Sequence, residues 1–307
     1  MTRLTETAQG VYVIAVTPFH DDGALDLEST DRMVDFYLSV GATGLTVLGM
    51  MGEAQKLTIE ESQLIVRRIL ARVGARVPVV VGVSAPGFAQ MAALTQMVME
   101  DGAAGVMIAP PSVLRTDDQI VAYYKQAVDF IGDVPFVLQD FPLVTNVQMS
   151  LPVVRRIIQV LPSCVCLKHE DWPGLDKIAV LRAEGFLNRR ISILCGNGGM
   201  FLPEEMGRGA DGAMTGFAYP EMMVEVVRHM QAGQTDRAQD LFDAYLPLAR
   251  YEQQPGIGLA VRKYTMARRG IIANAALRRP GGSLNAATIA EIERLILRQE
   301  KRLKELN

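Results

Sequence analysis

The stretch Cys164-Val165-Cys166-Leu167-Lys168-His169-Glu170-Asp171-Trp172-Pro173-Gly174 decides how this chain is read. It opens as a short apolar run and closes in a polar loop ending in Pro and Gly, the pattern of a buried strand running into a loop. Side chains alternate across a strand with period two. Cys164, Cys166, Lys168 and Glu170 are therefore predicted to share one face, with Val165, Leu167 and His169 on the other. If the shared face lines a barrel, Lys168 and Glu170 stand together at its mouth. Burial disfavours an ammonium, and the neutral amine is the nucleophile that forms an imine with a keto acid. The competing reading is a lysine that snorkels past the strand end into water.

On either side of this stretch apolar β-type runs alternate with amphipathic helical segments. Strands are predicted over 11–19, 44–49, 77–84, 105–110 and 134–141, then the lysine stretch, then 191–198 and 212–217. Helices are predicted over 27–40, 59–73, 87–101, 117–131, 151–160, 175–184, 201–207 and 220–231. Thr58-Ile59-Glu60-Glu61 reads as a capping box opening the second of them. Eight βα units in succession match a closed (β/α)8 TIM barrel. An open doubly wound sheet is the runner-up, but no Gly-x-Gly-x-x-Gly turn follows the first strand. Gly196-Asn197-Gly198-Gly199 has the wrong spacing for that fingerprint and reads as a tight βα turn, with anion binding through backbone N–H groups as its other use. Residues 236–250, 257–269 and 286–305 read as three more helices. The expected organisation is a barrel over 1–232 and a helical appendage over 233–307 packed on it.

Composition narrows the function classes. Of 307 residues, 49% are hydrophobic and 21% charged, enough for one large core. A net charge of −3 argues against a nucleic-acid partner. No apolar run is long enough to span a bilayer, and Met1 to Thr7 lack the apolar core of a signal peptide. Cys164, Cys166 and Cys195 lie in apolar runs and their odd number gives no disulfide framework, so a cytoplasmic location is expected. His20, His169 and His229 stand apart from one another, and no metal site is expected. The methionines over 91–99 and 222–230 read as helix core.

In a barrel of this type chemistry gathers at the C-terminal strand ends. The polar and unusual residues there are Thr17, Gly49-Met50-Met51-Gly52-Glu53, Ser84, Pro110-Pro111-Ser112, Gln139-Asp140, Lys168-His169-Glu170, Gly196-Asn197 and Thr215-Gly216. Thr17-Pro18-Phe19, Gly49-Met50-Met51-Gly52-Glu53, Pro142 and Lys168 occur in an order that resembles the dihydrodipicolinate synthase / N-acetylneuraminate lyase family of Schiff-base barrel enzymes, over nearly the whole chain. The resemblance implies that Lys168 forms an imine with pyruvate or another 2-keto acid, that no cofactor is needed, and that the protein is a homo-oligomer, a dimer or tetramer.

The departures from the family pattern are informative. The usual Gly-Thr-Thr-Gly-Glu is here Gly49-Met50-Met51-Gly52-Glu53, so only backbone N–H groups such as that of Met51 remain to hold a carboxylate. The usual tyrosine after the fifth strand is Gln139, which hydrogen-bonds but cannot shuttle a proton. The arginine with which synthases bind a second substrate aligns with Val144, and the tyrosine after the fourth strand aligns with Ser112. A smaller branch resembles the chain more: Gln139-Asp140-x-Pro142, Lys168-x-Glu170, Gly212-Ala213-Met214-Thr215-Gly216 with Tyr219-Pro220, and Leu246-Pro247-Leu248 with Tyr251-Glu252 resemble L-2-keto-3-deoxyarabonate dehydratases. Under that resemblance Lys168 condenses with the C2 ketone, and Glu170 is the candidate base and then acid. The alternative for Glu170 is a rim carboxylate paired with a nearby cation. Gln139 joins Lys168 and Glu170 as a candidate catalytic residue, and Met50, Met51, Ser112, Asn197, Thr215 and Gly216 are the candidates to hold substrate. A pyruvate-dependent aldolase or synthase, and a non-catalytic keto-acid-binding barrel, are the rival functions.

Overall fold

A computed structural model describes residues 3–306 of the chain. The apolar runs form eight short strands whose residues are all buried: β1 (Gly10–Ile14), β2 (Gly44–Val47), β3 (Val79–Gly82), β4 (Gly105–Ile108), β5 (Phe136–Asp140), β6 (Cys164–His169), β7 (Ser192–Cys195) and β8 (Gly212–Ala213). Each pairs in parallel with the next, and β8 pairs with β1, closing the barrel. Strands buried on both faces explain why their sequences read as continuous apolar runs rather than as clean alternation.

The connecting helices are α1 (Leu27–Ser39), α2 (Ile59–Val73), α3 (Phe88–Glu100), α4 (Asp117–Ile131), α5 (Pro142–Thr145), α6 (Leu151–Val160), α7 (Leu175–Arg182), α8 (Leu202–Gly207) and α9 (Pro220–Gln231). Three more follow: α10 (Thr235–Glu252), α11 (Gly258–Arg268) and α12 (Ala286–Leu306). The capping box at Thr58 and Glu61 forms as read, and Thr116 with Gln119 makes a second one at the start of α4. Among the described residues no helix is long and apolar enough to cross a membrane.

The core has two layers. Inside the barrel Tyr12, Ile14, Val80, Met107, Val137, Cys166, Leu194 and Met214 pack together. Outside it the opposite strand faces pack on the helices, with Leu138, Leu167, Ile193 and Cys195 among them. One face assignment is corrected. Cys164 belongs to the outer layer and Val165 to the inner one, although the alternation predicts the reverse. The cause is a bulge: Phe136 pairs with Cys164, but Val137 pairs with Cys166, so Val165 is an extra residue in β6. A bulge resets the alternation beyond it. From Cys166 onward the reading holds, and Lys168 lies on the inner side.

The strands predicted outside the lysine stretch all come out shorter than expected. The first ends at Ile14, well before Phe19, and the last is only Gly212–Ala213. Thr17-Pro18-Phe19 and Met214 to Phe217 continue as buried loop, and burial keeps such segments apolar where the ladder has ended. Short elements also appear that periodicity does not reveal: α5, and 3-10 turns at Met50–Gly52, Ala54–Lys56 and Asn197–Gly199.

The C-terminal helices engage the barrel mouth through two buried cations of α11. Lys263 Nζ donates to Glu53 Oε1 at 2.6 Å, to the Thr17 carbonyl at 2.7 Å and to the Ala276 carbonyl at 2.9 Å. Arg262 pairs with Glu252 at 2.5 Å and donates to the Gly216 carbonyl. Glu252 in turn accepts from the Ala218 N–H at 3.1 Å.

Candidate active site

The inner side of β6 delivers Lys168 to the C-terminal mouth. Its side chain is shielded, with only 6% of the residue exposed, and Nζ stands 3.0 Å from Glu170 Oε2. The snorkelling alternative is therefore not what the fold adopts. The same carboxylate oxygen accepts the side-chain amide of Gln139 at 2.8 Å, from the neighbouring β5, where Gln139 and Lys168 are register partners. The other oxygen, Oε1, accepts the backbone N–H of Asn197 at 3.3 Å.

The loop after β7 shapes this cluster. The Asn197 side chain donates to the Glu170 carbonyl at 2.8 Å, and Gly198 N–H donates to Thr215 Oγ1 at 2.8 Å. A Cβ at Gly196 would overlap the Glu170 side chain, so this glycine is a steric requirement of the carboxylate. Asn197 itself holds a left-handed backbone (φ 48°) that few side chains adopt. Leu48 (φ 54°) and Glu53 (φ 55°) do the same on either side of the Met50–Gly52 turn. Backbone strain of this kind concentrates where function over-determines geometry.

Met50 and Met51 begin that turn, so their amide N–H groups fall among the first donors of a helical segment, which find no acceptor inside it. Met51 also packs against the inner barrel layer. Thr17 is buried below the turn and donates to the Gly52 carbonyl at 2.6 Å. Lys168, Glu170, Gln139 and Asn197 are thus one hydrogen-bonded group, and Thr215 is tied to the same loop through the Gly198 N–H. Ser112 is not joined to it: its side chain is exposed, and its carbonyl accepts from Arg115. Gly216 meets Arg262, which a Cβ there would strike. Among the described residues no group of three His, Cys, Asp or Glu is placed to hold a metal ion.

Several important groups escape a reading of the sequence. Glu53 lies in the glycine-rich motif, yet its carboxylate is a structural hub between Lys263, Lys56 (2.8 Å) and the Arg278 N–H (3.1 Å). Burial draws Lys263 down to about 8, against the pull of Glu53. On the outer face of β5 and β6, burial raises Asp140 to about 6, with Lys177 opposing the shift. There too burial and the Lys177 charge lower His169 to about 4, so the imidazole is neutral. Behind β7, burial raises Glu205 of α8 to about 7, although a hydrogen bond with the Cys195 thiol pulls the other way. For the outward set, alternation beyond Lys168 was a usable signal. For Lys263 and Glu205 nothing in their helices marks them out.

A shielded amine at the C-terminal mouth of a closed (β/α)8 barrel, facing a carboxylate held by Gln139 and the Asn197 N–H, defines an imine-forming barrel enzyme. Residues 7–299 match the Dihydrodipicolinate synthetase family, and the chain belongs to that family. It is 30% identical over 292 residues to the L-2-keto-3-deoxyarabonate dehydratase of Azospirillum brasilense, covering 94% of this chain and 93% of that one. It is also 30% identical over 249 residues to the 4-hydroxy-tetrahydrodipicolinate synthase of Thiobacillus denitrificans, covering 79% of this chain and 81% of that one. Among solved structures, the dihydrodipicolinate synthase from Rhodopseudomonas palustris superposes with a TM-score of 0.95 at 54% identity, over 97% of this chain and all of that one. The resemblance read from Thr17 to Lys168 is borne out, and the protein is a Schiff-base lyase of this family.

Proposed function

We propose that the protein dehydrates a 2-keto-3-deoxy sugar acid through an imine on Lys168. The observation that carries this reading is Glu170. A carboxylate 3.0 Å from Lys168 Nζ, held by Gln139 and the Asn197 N–H, is close enough to the carbon next to an imine on that nitrogen to take a proton and return one. The similarity to a named L-2-keto-3-deoxyarabonate dehydratase supports the same choice.

The steps balance. The Lys168 amine adds to the C2 ketone and water leaves, giving an imine. The imine acidifies C3, and Glu170 takes a C3 proton to give an enamine. The enamine expels the C4 hydroxyl, which departs as water with the proton that Glu170 returns. Where C5 is a terminal CH2OH, loss of a C5 proton and return of a proton to C3 move the double bond to a C4–C5 enol, which tautomerises to an aldehyde. Hydrolysis of the imine then releases a 2-keto semialdehyde and frees Lys168. No alkoxide forms at C4, so the glutamine at position 139 suffices where C–C cleavage would call for a proton shuttle.

In this reading the N–H groups of Met50 and Met51 take the substrate carboxylate. Thr215, Asn197 and Gln139 orient the hydroxyls, with Ser112 and Gly216 at the periphery. Thr215 Oγ1 accepts from Gly198 and so keeps a proton to donate. A homo-oligomer, dimer or tetramer, and a cytoplasmic location complete the proposal. The exposed apolar side chains of Val113 on the loop after β4 and of Leu143 and Val144 in α5 support the oligomer, and sedimentation of the purified protein tests it.

A panel of 2-keto-3-deoxy acids, scored for products, tests the function. Loss of substrate with a 2-keto semialdehyde is the expected result. Pyruvate plus an aldehyde would overturn it in favour of an aldolase. The likeness to named synthases favours a condensing reaction as the second reading, and that reading requires consumption of pyruvate with an aldehyde acceptor. A chain that neither forms an adduct nor turns over any substrate would be a binding barrel.

A further inference from the structure

Residues at the ends of β5 and β6 alternate between the site and the back of the barrel wall. Gln139 points in and Asp140 out; Glu170 points in, flanked by His169 and Asp171 facing out. The outward residues meet Lys177 of α7. Its Nζ lies 2.5 Å from Asp140 Oδ2, 2.6 Å from the Met149 carbonyl and 3.1 Å from Asp171 Oδ2. Three acceptors match the three donors of an ammonium. Gln148 completes the Asp171 carboxylate with contacts of 2.9 and 3.0 Å.

This cluster is a costly way to fill space. One cation and two carboxylates are buried, and an apolar packing of the same volume would ordinarily be at least as stable. Its connectivity suggests what the charges do. Asp140 lies on β5 and pairs in register with His169 of β6. The Glu170 N–H donates to the Asp140 carbonyl at 2.9 Å. Lys177 therefore grips the residue that accepts from Glu170 and the residue that follows Glu170. Turning Glu170 about the strand axis, or sliding β5 against β6, would pull one carboxylate off Lys177.

We propose that Lys177 is a positioning residue for proton transfer: from behind the wall it fixes the ends of β5 and β6, and so holds Glu170 against Lys168 and Gln139. This rests on the reading of Lys168 as the imine-forming amine and Glu170 as the base. It does not depend on which 2-keto acid is the substrate.

The test uses pyruvate and two readouts on the full chain. Borohydride trapping, read as a mass increase on Lys168, reports imine formation. Exchange of the pyruvate methyl hydrogens in D2O, followed by NMR, reports removal of a C3 proton from the imine. In Lys177→Met, trapping stays within about 3-fold of wild type while exchange falls about 100-fold, the scale of a displaced general base. Asp171→Asn keeps the side-chain shape and serves if Lys177→Met does not fold; it shows the same split with a smaller fall. Exchange at the wild-type rate in a folded variant overturns the positioning role. So does a parallel loss of trapping and exchange that tracks the fraction of folded protein, since that is the mark of a purely structural cluster. If wild type itself neither traps nor exchanges, the imine reading fails first. If wild type does both but dehydrates nothing, only the substrate assignment fails.

Discussion

Glu170 Oε2 lies 3.0 Å from Lys168 Nζ and accepts the Gln139 amide at 2.8 Å, so one carboxylate oxygen bridges side chains from two adjacent strands. The pairing divides the work between two groups. In the proposed mechanism Lys168 supplies the bond to substrate, and Glu170 moves the protons. Glu170→Gln keeps the shape but cannot accept a proton, and its turnover is expected to fall by about 10²–10⁴. Borohydride trapping on Lys168 should survive in that variant. Lys168→Ala should lose both. Loss of trapping in a folded Glu170→Gln protein would count against the division.

Gly196 is expected to be intolerant of any side chain. A Cβ there overlaps Glu170 Cγ and its carboxylate, so Gly196→Ala must push the carboxylate off its position. Overpacking of this kind costs about 1–3 kcal/mol, which a protein of this size should survive. Turnover should fall on the order of 100-fold, the lower end for a general base. Near-normal kinetics in a folded Gly196→Ala protein would mean that Glu170 does not need its present position.

The ion pair of Lys263 with Glu53 should matter for stability more than for chemistry. Both side chains are almost wholly buried, and Lys263 also holds the Thr17 carbonyl. Removing one partner of a buried pair leaves the other charge uncompensated and costs about 3–5 kcal/mol. Lys263→Met should therefore melt well below wild type in calorimetry. A melting temperature unchanged within error would show that the pair contributes little.

Glu205 should give the protein a measurable pH dependence of stability. Its folded-state value is about 7 against an ordinary 4.5, so the folded chain holds this proton more tightly than the unfolded chain does. The corresponding stability is complete below the unfolded value and is lost as pH rises through the folded one. Integrated over that window it is on the order of 3 kcal/mol. His169, lowered to about 4, has the opposite sign: its contribution is lost as pH falls from 6.5 towards 4. Comparing wild type with Glu205→Gln cancels His169, because both proteins carry it. The difference in unfolding free energy should change between pH 4.5 and 8; a flat difference would place Glu205 in contact with water.

Much of the fold was legible in the chain because it is local. The helix over 151–160 has the bounds of α6, and Thr58 with Glu61 forms the capping box that the four residues encode. The alternation from Cys166 to Glu170 follows from strand geometry. What failed depends on a partner strand. The bulge at Val165 exchanges the faces of Cys164 and Val165, because the pairing partner, not the strand's own pattern, decides where a residue is left over.

The sequence by itself determined the barrel, the family and the amine at its mouth, since these rest on periodicity and on motifs whose order is written in the chain. Tertiary structure alone decided which groups surround that amine. Glu170 and Gln139 are 31 positions apart, Lys263 and Glu53 are 210, and Lys177 and Asp140 are 37. A charge has no periodic signature of its own. Whether it is solvated or buried against a distant partner is set only when the barrel closes and the C-terminal helices come to its mouth.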